Sequence, residues 1–114
     1  MFPIGEDIVV SEFAYGFIVP NVMDGMGLVD VHAENSRFGS TNTVISIRNH
    51  VGNDMLSTNI TIDANENGSD SASVQPVINS AYKNVSAYDR ITIAVDAAGA
   101  DSAGLFVTLT FRLP

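Results

Sequence analysis

The stretch Asp63-Ala64-Asn65-Glu66-Asn67-Gly68 carries the most chemical potential in this chain. It matches the first six positions of a calcium loop of the helix–loop–helix kind, where side-chain oxygens at alternate positions converge on the ion and a glycine makes the sharp bend. The twelfth position of such a loop is a bidentate Glu, whereas here it is Val74, and the flanks alternate as strands do. The stretch therefore reads as a hairpin loop using Asn, Gly and Asp for its backbone geometry, with at most an adventitious cation. His32 and His50 have no second ligand at metal spacing, and His32 alternates with Asp30 and Glu34 on what reads as a solvated strand face. No serine lies in a Gly-x-Ser-x-Gly elbow. Glu6, Asp7, Asp54, Asp70, Asp89, Asp96 and Asp101 could supply a pair of carboxylates for glycoside hydrolysis. Their scatter through turns reads instead as solubilising charge. A phosphate-cradling glycine loop needs a helix to open, and no helix is expected. The reading is of no catalytic residue, no cofactor and no metal, and so of a protein that is not an enzyme.

The elements that position these residues are short strands. Phe13, Tyr15, Phe17 and Val19 share one parity, and Pro20 and Asn21 end that strand. After the turn Asp24-Gly25-Met26-Gly27, the residues Val29, Val31 and Ala33 alternate with Asp30, His32 and Glu34, one set buried and the other wet. Ile45 and Ile47 oppose Val44, Ser46 and Arg48; a turn at residues 49–54 follows, and alternation resumes over residues 56–64 with Ile60, Ile62 and Ala64. Within residues 73–89, Val74, Pro76, Val77 and Ile78 suggest a short edge strand, and residues 80–89 have room for a helical turn at most. Ile91, Ile93 and Val95 form the next inner face, and Leu105, Val107, Leu109 and Phe111 the last. Seven or eight strands, with turn signals between them and no convincing helix, predict an all-β fold: an antiparallel β-sandwich, jelly-roll-like, of about 8 strands.

The chain has 114 residues, enough for one domain that buries roughly two-thirds of its unfolded surface. Residues 1–12 read as an N-terminal arm or edge strand, and 13–114 as a single β-sandwich domain. There are no cysteines, which excludes disulfides and thiolate metal sites. Five basic residues against 13 acidic give a net charge of −8, which repels nucleic acid and anionic lipid. No stretch has the apolar length of a membrane span, and Met1 to Asp7 lacks the features of a signal peptide, so secretion by that route is not expected. The sequons at Asn59, Asn67 and Asn84 then read as accidents of an Asn-rich chain.

Two zones read as contact surfaces. The opening segment is too apolar for a solvated tail: Phe2, Pro3, Ile4, Ile8 and Val10 surround an acidic pair, and the segment is either an edge strand of its own domain or an arm gripping a neighbour. Phe106, Thr108 and Thr110 on the outer face of the last strand, with residues 13–17, carry more apolar and β-branched surface than a lone domain needs.

Taken in order, residues 15–33, 56–65 and 87–109 resemble a domain pattern of tailed-bacteriophage virion surface proteins. An opening strand meets a proline and a glycine-bearing turn, followed by Leu28-Val29-Asp30-Val31-His32-Ala33. Next come a strand ending Ser57-Thr58 and then Ile60-Thr61-Ile62-Asp63-Ala64. Asp89-Arg90-Ile91-Thr92-Ile93-Ala94-Val95-Asp96 and Ala103-Gly104-Leu105-Phe106-Val107-Thr108-Leu109 close it. The resemblance implies a jelly-roll-like block on the virion exterior, commonly trimeric, found on capsid decoration (cement) proteins, head fibres and tail appendages. It implies no catalytic motif. The function expected from it is capsid decoration: a homotrimer bound to the major capsid protein on the outer capsid surface, stabilising the shell, made in the host cytoplasm. Its alternative is a tail- or head-fibre domain for a host receptor or glycan. That alternative needs aromatic platforms, and the chain has no Trp and only Tyr82 and Tyr88 in its irregular segment.

Overall fold

The structure, a computed structural model, describes Ile8 and residues 11–113, with the backbone alone for residues 11–14. Its strands are β1 (Ser11–Ile18), β2 (Gly27–Arg37), β3 (Thr43–Arg48), β4 (Leu56–Thr58), β5 (Ile60–Ile62), β6 (Val77–Ile78), β7 (Arg90–Ala97) and β8 (Ala103–Arg112). Every ladder among the described residues is antiparallel. One sheet runs β1-β7-β3-β5; β2 pairs with β8, and β4 with β6. The result is the expected antiparallel sandwich of about eight strands. β1 begins two residues before the boundary read from sequence, so residues 11 and 12 belong to the sheet.

The alternating residues form the core. Ile45 and Ile47 of β3, Ile60 and Ile62 of β5, and Ile91, Ile93 and Val95 of β7 are buried from one layer; Leu28, Val31, Ala33 and Leu105 meet them from the other. On the opposite side of β3, Ser46 pairs with Ala94, and both are buried. Ser46 Oγ donates to Asp96 Oδ1 (3.2 Å), and Asn59 Nδ2 donates to the second carboxylate oxygen (3.2 Å).

Three local departures from simple alternation have physical causes. In β2, Leu28 opposes Phe111 and Asp30 opposes Thr110, so Val29 is an extra residue in the ladder. That bulge reverses the parity: Leu28 is 1% exposed and Val29, expected inside, is 41% exposed. The run expected over residues 56–64 breaks at Asn59, with β4 joining β6 and β5 joining β3. Residues 80–89 form turns held by side chains where a helical turn had room: Asn79 Oδ1 accepts the Ala81 N–H (3.0 Å), Asp89 Oδ2 that of Ser86 (2.9 Å), and Asp24 Oδ1 that of Ala87 (2.8 Å). Such local bonds compete with helix formation.

Loops close the outer edge of β2. Leu28 N–H donates to Lys83 O (2.9 Å) and Asn35 N–H to Asn67 O (2.9 Å). Ala33 N–H donates to Ser69 Oγ (2.9 Å), a buried hydroxyl on the turn Ser69–Ser71. Among the described residues, β8 has ladder partners only in β2, and β1 only in β7.

Candidate functional site

Those two strands, β1 and β8, flank an apolar opening. The inner face of β8 begins well covered, with Leu105 buried in the core, but Val107, Leu109 and Phe111 are only half-buried. Opposite them, β1 presents Tyr15 and Phe17, and the floor is Ile93 of β7. Met23 and Met26 close one end from the turn after β1, where the Met26 N–H donates to Met23 O (3.0 Å). The rings of Phe17 and Phe111 meet edge to face, with centroids 6.4 Å apart and planes at 75°. The cleft encloses about 400 Å³, and among the described residues no charged side chain lines it.

Its origin is local. Pro20 cannot continue the β1 ladder, and the chain leaves through a single 3-10 turn, Asn21–Met23, anchored by reciprocal bonds between Val19 and the 88–89 backbone (2.8 Å each). β1 therefore ends beside Arg90, its partner at Ile18. Among the described residues no further strand covers the second half of β8.

The expected contact residues fall in different places. Ile8 is buried, and its N–H donates to Ser102 O (3.0 Å) just before β8. Phe2, Pro3, Ile4 and Val10 lie outside the described residues. Phe106, Thr108 and Thr110 are exposed on the outer face of the β2–β8 ribbon, paired with Glu34, His32 and Asp30. That face is more polar than the sequence of β8 alone suggests. Val107, Leu109 and Phe111 were read as plain core. The signal that could have marked them is the absence of charge from residue 103 to 111, because edge strands are normally guarded by charge.

The polar candidates bind one another. Asn67 Nδ2 donates to Asn35 O (3.2 Å) and Asn35 Oδ1 (3.0 Å), and Asp63 Oδ2 accepts the Ser73 N–H (2.8 Å). The 63–68 loop is thus a structural loop, with Asn65 at φ 64°. His32 Nδ1 lies 3.1 Å from Ser69 Oγ and its Nε2 3.6 Å from Glu34 Oε2. No group of three or more His, Asp or Glu among the described residues is placed to hold a metal ion. A second concavity, lined by Arg48, His50, Arg90 and Thr92, has its positive charge partly balanced: Arg48 Nε is 3.7 Å from Asp54 Oδ1, and His50 Nδ1 is 3.5 Å from Asp89 Oδ2. Tyr82 and Tyr88 are exposed.

Comparisons with protein-family models, with curated proteins and with solved structures find no match.

Proposed function

We propose that this chain is a virion structural protein of the tailed-bacteriophage kind, a capsid decoration (cement) protein that binds the outer shell as a trimer and stabilises it. The observation that carries this reading is the apolar cleft between β1 and β8, which among the described residues has no charged lining and lies beside strands that each have one ladder partner, a surface suited to adhesion. The segments that resemble virion surface domains supply the walls of that opening: residues 15–33 include Tyr15, Phe17, Met23 and Met26, and residues 87–109 include Ile93, Val107 and Leu109. The mechanism needs no reaction. Each subunit buries apolar area against its neighbours, and an oligomer that touches several shell subunits at once gains effective concentration with every added contact. The net charge of −8 suits a surface facing solvent.

The test is rebinding. Shells stripped of this protein, mixed with the purified chain and sedimented, are expected to carry it down at a fixed, saturable stoichiometry. No co-sedimentation, or uptake without saturation, would refute the assignment.

A further inference from the structure

We propose that the concavity on the outer face of the four-stranded sheet, lined by Arg48, Asn49, His50, Gly52, Arg90 and Thr92, binds a small hydrophilic molecule through one carboxylate or phosphate group. The site shares no lining residue with the apolar cleft and does not depend on the adhesive reading above.

Strand register brings the two guanidinium groups together. Arg48 of β3 opposes Thr92 of β7, and Arg90 lies two residues from Thr92 on the same face. Arg48 and Arg90 are therefore diagonal cross-strand neighbours, roughly 7–8 Å apart along the backbone, a spacing that long side chains reach across. On its other side Thr92 opposes Gly16 of β1, which has no side chain, so the floor stays open there. The turn after β3 makes the wall. Asn49 Oδ1 accepts the N–H groups of Val51 (3.1 Å) and Asn53 (2.9 Å), and Gly52 N–H donates to Asn49 O (3.0 Å). Gly52 closes the turn at φ 88°, a conformation that glycine adopts without strain.

Charge and lining select the occupant. The chain has only five Lys and Arg residues against 13 acidic ones, yet two of the five stand here with one of its two histidines. The nearby carboxylates are engaged at the rim. Asp54 is exposed and meets Arg48 at Nε (3.7 Å), while Asp89 Oδ2 accepts the Ser86 N–H (2.9 Å) and faces His50 Nδ1 (3.5 Å). Among the described residues Arg90 has no acidic partner. A guanidinium presents a planar fork of donors that matches a carboxylate or a phosphate, and such charge-assisted bonds are the strong ones. Asn49 and Thr92 add neutral hydrogen-bonding groups, and among the described residues no aromatic ring lines the site, so the body of the ligand is polar. The enclosed volume of about 400 Å³ is that of a small-molecule site and exceeds a bare oxyanion. A net charge of −8 repels long polyanions, which leaves a molecule with a single acidic group.

The experiment is a backbone-amide NMR titration of the full chain at low salt. Glucuronate is the carboxylate probe, glucose 6-phosphate the phosphate probe, and glucose the neutral control. Saturable shifts centred on residues 48–52 and 90–92 are expected with at least one acidic probe, and which one responds distinguishes the two sources of the anion. Arg90→Gln is expected to weaken that binding about ten-fold or more, the loss of a charge-assisted hydrogen bond, and Arg90→Lys to weaken it less. Arg90 is exposed, so its replacement leaves the core intact. Arg112→Gln removes the same charge from the exposed end of β8 and is expected to leave the affinity unchanged. No saturable shift with either acidic probe, an equal response to glucose, an unchanged affinity in Arg90→Gln, or an equal loss in Arg112→Gln would overturn the proposal.

Discussion

Ile47→Ala is expected to destabilise the folded chain by about 2–5 kcal/mol, read as a fall in the urea midpoint of unfolding with an unchanged slope. Ile47 has no exposed surface, sits on β3 within the four-stranded sheet, and faces Ile93 in the ladder with β7. Its carbonyl also accepts the Met55 N–H (2.8 Å), which ties it to the turn leading into β4. Ladders hold the backbone around this site, so the space left by the lost carbons cannot close fully and a cavity cost adds to the lost burial. A domain of this kind has about 5–15 kcal/mol of stability in total, so one such change removes a large part of it. Val51→Ala, in the exposed turn, is expected to stay within about 0.5 kcal/mol of the unaltered chain. Equal midpoints for the two variants would contradict the assigned core.

Gly99→Ala is expected to cost about 1–3 kcal/mol through crowding rather than through a cavity. A Cβ at residue 99 would lie 2.6 Å from Thr41 O and 2.9 Å from Thr43 Oγ1. Neither neighbour can retreat cheaply, because the β7–β8 turn and the loop before β3 are bonded together. Gly99 N–H donates to Thr43 Oγ1 (2.9 Å), Ala100 N–H to Thr41 Oγ1 (2.9 Å), and Ser40 N–H to Ala100 O (3.0 Å). Gly39 meets the same turn from the other side, where an added Cβ would stand 2.7 Å from Ala100 O. This turn sets where β8 starts relative to β7, and hence how the cleft opens. The measurement is thermal unfolding; a midpoint equal to that of the unaltered chain would show that the two loops are not locked together.

Much of the sandwich was legible in the sequence because the large apolar residues of β3 and β7, and those of the inner face of β8, each keep one parity, and period-two alternation reads directly as a strand. The inner residues of β7, Ile91, Ile93 and Val95, needed nothing more. Val29 was misread because its parity depends on a bulge, and a bulge is a relation between β2 and β8 rather than a property of β2. The division at Asn59 was hidden for a similar reason: Leu56, Ile60 and Ile62 keep one parity throughout while the pairing partner changes from β6 to β3. The cleft was the least legible feature. Val107, Leu109 and Phe111 alternate as core residues do, yet among the described residues they are half-covered, which depends on what lies opposite them and not on their own pattern. Phe106, Thr108 and Thr110 lie on the outward parity as expected, but the polar pairing partners Glu34, His32 and Asp30 that make that face polar come from β2, far away in the chain.

As proposed above, this chain works by adhesion and reinforces a larger particle. The most direct measurement is the temperature at which DNA-filled shells release their DNA, with and without the protein added back. A rise in that temperature that saturates with added protein, and that is lost with Leu109→Asp, is the expected result. An unchanged release temperature at full occupancy would contradict the account.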